Sequence, residues 1–152
     1  MTMTSRTIGK CLETYLMNYQ YKMVLHNIYL FSDDPDIDGS KSWESDVLGV
    51  TPDNRLVEFE IKISKSDFHA DFKKEYKHQQ LYLSQGPSRF SFICPDGLIK
   101  VDELPDFAGL YYVYPQYSYR VKQIKAPPLL NNNKIDIEYW EKIAQKLYWK
   151  QK

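Results

Sequence analysis

The chain of 152 residues is poor in cysteine, with only Cys11 and Cys94. The two stand far apart and without metal-ligand spacing. Neither a zinc cluster nor a disulfide framework is expected, and a reducing cytoplasm fits. His69 and His78 lie nine residues apart and make no i, i+4 zinc pair. There is also no net charge of either sign: 20 Lys and Arg balance 20 Asp and Glu. That excludes the uniformly basic surface of many nucleic-acid binders. No apolar run approaches the ~18 residues of a membrane span. The start, MTMTSRTIGK, has no apolar stretch of the secretory type. A Gly-rich phosphate loop and a G-x-S-x-G elbow are both missing, so P-loop NTP hydrolysis and serine-hydrolase chemistry have no support. With no internal repeat, the length predicts one domain over residues 1–152.

What is present is uneven. Residues 32–60 are acid-rich and residues 62–78 base-rich, so the neutral sum hides an acidic segment beside a basic one. Tyrosine is abundant, at 13, and suits wet grooves and interfaces as well as cores. Apolar residues at helical spacing predict a helix from Thr7 to about His26. Strands are expected at 27–31, 43–50 and 56–63, the last two joined by the turn TPDNR. Ser64 or Ser66 caps a second helix that runs to about Ser84, with Asp67 in its first turn. A fourth strand at 89–94, further strands at 109–114 and 117–124, and a helix over 136–150 with Trp140, Ile143 and Leu147 inward complete the chain. The fold class is α/β (α+β): α-β-β-β-α-β, a mixed sheet flanked by helices, then extra C-terminal strands and a closing helix.

The segment RLVEFEIKIS, residues 55–64, carries the chemistry. Strict alternation places Glu58, Glu60 and Lys62 on one face and Phe59, Ile61 and Ile63 on the other. A three-residue loop, Pro52 to Asn54, sets Thr51 opposite Arg55. Counting back puts Asp46 opposite Glu60 and Glu44 opposite Lys62, with Cβ atoms of directly opposed residues ~4.5–5.5 Å apart. Trp43, Ser45 and Val47 then join the apolar face. A loop of even length would send Asp46 and Glu60 to opposite faces. Two carboxylates so close need a cation between them. Mg²⁺ or Mn²⁺ meets that need with oxygen ligands, waters and substrate phosphate. Asp46, Glu60 and the backbone carbonyl of Ile61 are the candidate ligands. Lys62 is placed to orient or activate the attacking water. Glu44 is expected to pair with Lys62, and Glu58 to be solvated or to support the site.

These residues carry a resemblance. WESDVLGVT…LVEFEIKISKSDFHADFKKEYKH resembles the PD-(D/E)XK nuclease superfamily, and within it the small MmcB-like DNA repair proteins. The likeness spans roughly residues 8–114 and is tightest over 43–78. It implies a restriction-endonuclease-like core with Asp46, Glu60 and Lys62 as the catalytic set. Ser45 stands where the family name places a Pro. Many members add a Glu from the first helix, and Glu13 is the best-placed candidate metal ligand here.

The resemblance implies a metal-dependent nuclease that hydrolyses phosphodiesters, in DNA rather than RNA, in repair or processing. Lys65, Lys73, Lys74, Lys77, His78 and Gln80 are the candidate nucleic-acid contacts, because cations on phosphates dominate such affinity. The plainer reading of that helix is a wet basic face. Tyr111, Tyr112, Tyr114, Tyr117 and Tyr119 suit base stacking, and core or interface packing is the simpler role. A homodimer or a repair-protein partner is compatible with that cluster, and no membrane contact is expected. The rival reading is a non-catalytic module on the same fold that binds nucleic acid or a repair partner.

Overall fold

A computed structural model describes residues 3–32, 42–71, 86–115 and 120–151. In chain order it shows α1 (Ser5–Asn18), β1 (Met23–Ser32), β2 (Ser42–Val50), β3 (Leu56–Ile61), α2 (Lys65–Asp71), β4 (Arg89–Pro95), a 3₁₀ turn (Val101–Glu103), β5 (Ala108–Tyr114), β6 (Arg120–Lys125) and α3 (Ile137–Lys150). The first six elements follow the expected α-β-β-β-α-β order. The strands form one mixed sheet in the order β1-β2-β3-β4-β5-β6. Pairing is antiparallel for β1–β2, β2–β3 and β5–β6, and parallel for β3–β4 and β4–β5. Among the described residues, no helix is long and apolar enough to cross a membrane.

α1 begins where the Thr4 side chain accepts a hydrogen bond from the Thr7 N–H at 3.1 Å. It ends eight residues earlier than its apolar spacing predicts. Gln20 adopts φ 65°, and the Tyr21 N–H returns to the Leu16 carbonyl. This left-handed turn satisfies helix-end carbonyls and frees Met23 to pair with Val50 in β1. His26 is therefore a strand residue. Ile8, Leu12 and Leu16 of α1 pack on Val47, Phe59, Ile93 and Val113 of one sheet face. On the other face Phe68 of α2 packs with Phe90, Phe92 and Leu110. Ile143 of α3 covers Leu25, Leu48 and Leu56, with Trp140 and Leu147 half-buried beside it, as expected for the closing helix.

The β2–β3 hairpin has the expected three-residue loop. Thr51 and Arg55 close it: the Thr51 N–H donates to the Arg55 carbonyl at 2.9 Å. Asn54 supplies the left-handed residue, φ 66°, that such loops need. The Thr51 hydroxyl donates to Asp53 at 2.5 Å and Arg55 Nε donates at 2.8 Å. The Thr51 hydrogen bond first, then Arg55, holds the Asp53 carboxyl below its ordinary range. Its folded pKa thus lies below the unfolded one. Its stabilisation is present above about pH 4 and is lost as pH falls through the folded value. The group is exposed, so Asp53→Asn should cost under ~1 kcal/mol at pH 7. Urea denaturation should show the gap to the parent protein closing as pH drops below about 4.

Candidate active site

The charged face of β3 does not meet water. Glu58, Glu60 and Lys62 are 0%, 3% and 6% exposed. β3 is a central strand, paired in parallel with β4 and covered by a helix on each side, and such strands are buried on both faces. Glu60 lies in register with Phe92, which meets Phe68 of α2 edge-on at 5.1 Å. The acidic face therefore looks toward α2.

Lys62 sits just past the end of β3, its N–H donating to the Ile93 carbonyl at 3.0 Å. Its ammonium lies 3.7 Å from Glu60 Oε2 and 3.5 Å from Asp71 Oδ1. α2 delivers Asp71. The Ser64 hydroxyl accepts from the Asp67 N–H at 3.1 Å, starting the helix as expected. Phe68 and Asp71, three residues apart, then share the inward face. The lysine is held between two carboxylates in a nearly dry setting.

Asp46 marks the place where the sheet parts. The β2–β3 ladder runs from Val50↔Leu56 to Val47↔Phe59, the register that the three-residue loop predicts, and ends one residue short of Asp46. There the Asp46 side chain takes over from the backbone, accepting the Ile61 N–H at 2.8 Å. On its other side, β1 pairs His26 with Val47 and Ile28 with Ser45. Asn27, the residue between them, has φ 52°, an uncommon and strained conformation for a non-glycine residue. The Lys150 ammonium of α3 donates to the His26 carbonyl just before this kink.

A cleft of about 560 Å³ opens at this point on the α1 side. Asp46 and Ile61 line it together with His26 and Asn27 of β1 and one flank of α1, Glu13 included. Glu13 thus shares a cleft with Asp46. Its carboxylate accepts a hydrogen bond from His26 Nε2 at 2.7 Å.

Several expectations are corrected. Glu44 is exposed opposite Tyr29, and the described partners of Lys62 are Glu60 and Asp71. Glu58 is not solvated: it accepts a hydrogen bond from Trp43 Nε1 at 3.0 Å. Trp43 itself stacks on Phe31 and packs with Leu48 and Leu56, not with Phe59. β3 stops at Ile61, leaving Ile63 44% exposed. Val47 joins Phe59 as predicted, and Ser45 is buried. Lys65 pairs with Glu103, whose carboxyl that contact holds below its ordinary range. Tyr111 and Tyr112 are core residues, Tyr111 meeting Phe59 edge-on at 5.3 Å. Lys73, Lys74, Lys77, His78, Gln80, Tyr117 and Tyr119 lie outside the described residues.

The donor chemistry at the strand end is hard oxygen, from Asp46 and Glu60, which fits a hard divalent cation. Among the described residues, no three His, Cys, Asp or Glu side chains converge on one ion position.

No family model matches the chain, and no curated protein does. Among solved structures, the SPO1766 protein of unknown function from Silicibacter pomeroyi is similar, with a TM-score of 0.64 at 17% identity. The match covers 98% of this chain and 86% of that one. At that identity the likeness is one of fold.

Proposed function

We propose that this chain is a divalent-metal-dependent nuclease on a restriction-endonuclease-like core, acting on DNA in preference to RNA. The observation that carries the reading is the end of β3. Lys62 is buried beside Glu60, and the β2–β3 ladder ends at Val47↔Phe59, next to Asp46, which lines an open cleft. A solvated face would not bury three consecutive charged positions of one strand face, because burying charge is costly unless each charge is partnered. Asp46 and Glu60 would hold Mg²⁺ or Mn²⁺, which when bound supplies Lewis-acid activation of water and stabilises phosphate charge. Asp46 is fixed by the Ile61 N–H and Lys62 by its two carboxylate neighbours. Both groups are therefore held in place before a substrate arrives, the condition under which electrostatic stabilisation is most effective. Lys62 aligns the attacking water and places a compact positive charge next to the phosphate.

The test is cleavage of single-stranded, duplex and branched DNA, and of RNA, by purified protein with Mg²⁺ or Mn²⁺ and with chelator. Calorimetric titration of each ion runs alongside, with Asp46→Ala as control. Metal-dependent cleavage that the variant loses is the expected result. A protein that binds no ion and cuts none of these substrates overturns the reading. Nucleic-acid binding without cleavage would assign the chain to the binding-module alternative.

A further inference from the structure

The cleft beside Asp46 is lined by two acids and two cations. Its two acids each already hold a donor: Glu13 accepts from His26 at 2.7 Å, and Asp46 from the Ile61 N–H at 2.8 Å. Its two cations, Arg6 and Lys10, stand one helical turn apart on the same flank of α1. Neither has an acidic partner among the described residues. Ser5, His26 and Asn27 add polar groups, and Gly9 and Ile61 complete the wall. At about 560 Å³ the cleft is large enough for a nucleotide unit.

We infer that this cleft takes the phosphodiester backbone of a nucleic-acid strand. Arg6 and Lys10 are its phosphate contacts, and His26, its Nε2 held by Glu13, borders the path. Two neighbouring cations with no acidic partner among the described residues select an anion. The position of Asp46 at one end of the cleft selects the strand being cut, and that choice rests on the nuclease reading. The predicted contacts on the second helix are thereby joined by a set on α1.

The experiment measures fluorescence anisotropy of labelled single-stranded and duplex 20-mers in chelator, over a salt series. It compares the parent protein, Arg6→Ala/Lys10→Ala, His26→Gln and Lys146→Ala. Arg6 and Lys10 are exposed on a helix that alanine favours, so the double variant folds, and circular dichroism checks this. Lys146, exposed on α3, controls for loss of charge. The double variant should bind a single strand at least ~10-fold more weakly. Its salt slope should fall by about 1.4, two contacts at ~0.7 each. His26→Gln should weaken binding less, and Lys146→Ala should match the parent.

Three outcomes overturn the inference: no binding by the parent, an unchanged slope in the double variant, or equal competition by inorganic phosphate or a mononucleotide. The last would assign the cleft to a small phosphate ligand. The two readings fail separately. Metal-dependent cleavage with unchanged binding by the double variant sinks only the cleft. Cleft-dependent binding by a protein that cuts nothing sinks only the nuclease.

Discussion

On the proposed nuclease reading, replacing Lys62 with methionine should lower the rate of metal-dependent cleavage about 10²–10⁴-fold. Methionine keeps the length and apolar stem of lysine and removes the charge and its protons. The lost rate therefore reports the ammonium rather than the packing. The readout is single-turnover cleavage per folded molecule, below the variant's thermal transition. This matters because the substitution also leaves Glu60 and Asp71 facing each other. A purely structural lysine would lower stability and leave the rate per folded molecule intact. Lys62→Gln separates charge from hydrogen bonding, since it keeps donors and loses charge. If Gln restores the parental rate, the ammonium charge is not what the reaction uses. Glu58→Gln is the comparison on the same strand face. Glu58 is buried against Trp43 one pair nearer the turn, and its loss should leave the rate near that of the parent.

Much of the frame was legible because it rests on period and loop parity. Alternation over 56–63 gave β3, which ends at Ile61, and the odd loop Pro52–Asn54 gave the β2–β3 register as far as Val47↔Phe59. The spacing of Trp140, Ile143 and Leu147 gave α3. Three features escaped for physical reasons. The end of α1 was masked because Tyr19 and Met23 continue the apolar spacing past Asn18, while a single left-handed Gln20 stops the helix. Burial of the charged face is decided by β4 and α2, which β3's own residues do not encode. Asp71 followed a loop and a helix start, so its meeting with Lys62 depends on how α2 docks. His26 was hidden by the first of these errors. Once α1 ends at Asn18, it becomes a strand residue beside Glu13. The signal for Asp71 was available in one form: it stands three residues after Phe68, on the inward side of the same helix.

Asp71→Ala should cost about 3 kcal/mol, the low end of the range for breaking a buried ion pair. The low end applies for two reasons. Lys62 keeps Glu60 at 3.7 Å, and both contacts are longer than a hydrogen bond, so the attraction is electrostatic and not directional. The Asp71 side chain is fully shielded from water and that of Lys62 nearly so, which separates this pair from surface pairs worth ~0–1 kcal/mol. For a chain of this length the melting temperature should fall by roughly 6–12 °C. A double-mutant cycle with Lys62→Met identifies the cause. Each single change strands charge that the other partner had balanced, so the double variant should cost less than the two singles added. The coupling should lie within ~0.5–3 kcal/mol. Additive costs would mean that Asp71 stabilises the fold through other contacts and that Lys62 owes its placement to Glu60 alone. Substantial coupling, together with the loss of cleavage in Lys62→Met, would make α2 part of the catalytic apparatus. The helix would then supply, through Asp71, the counter-charge that keeps a buried ammonium beside Glu60.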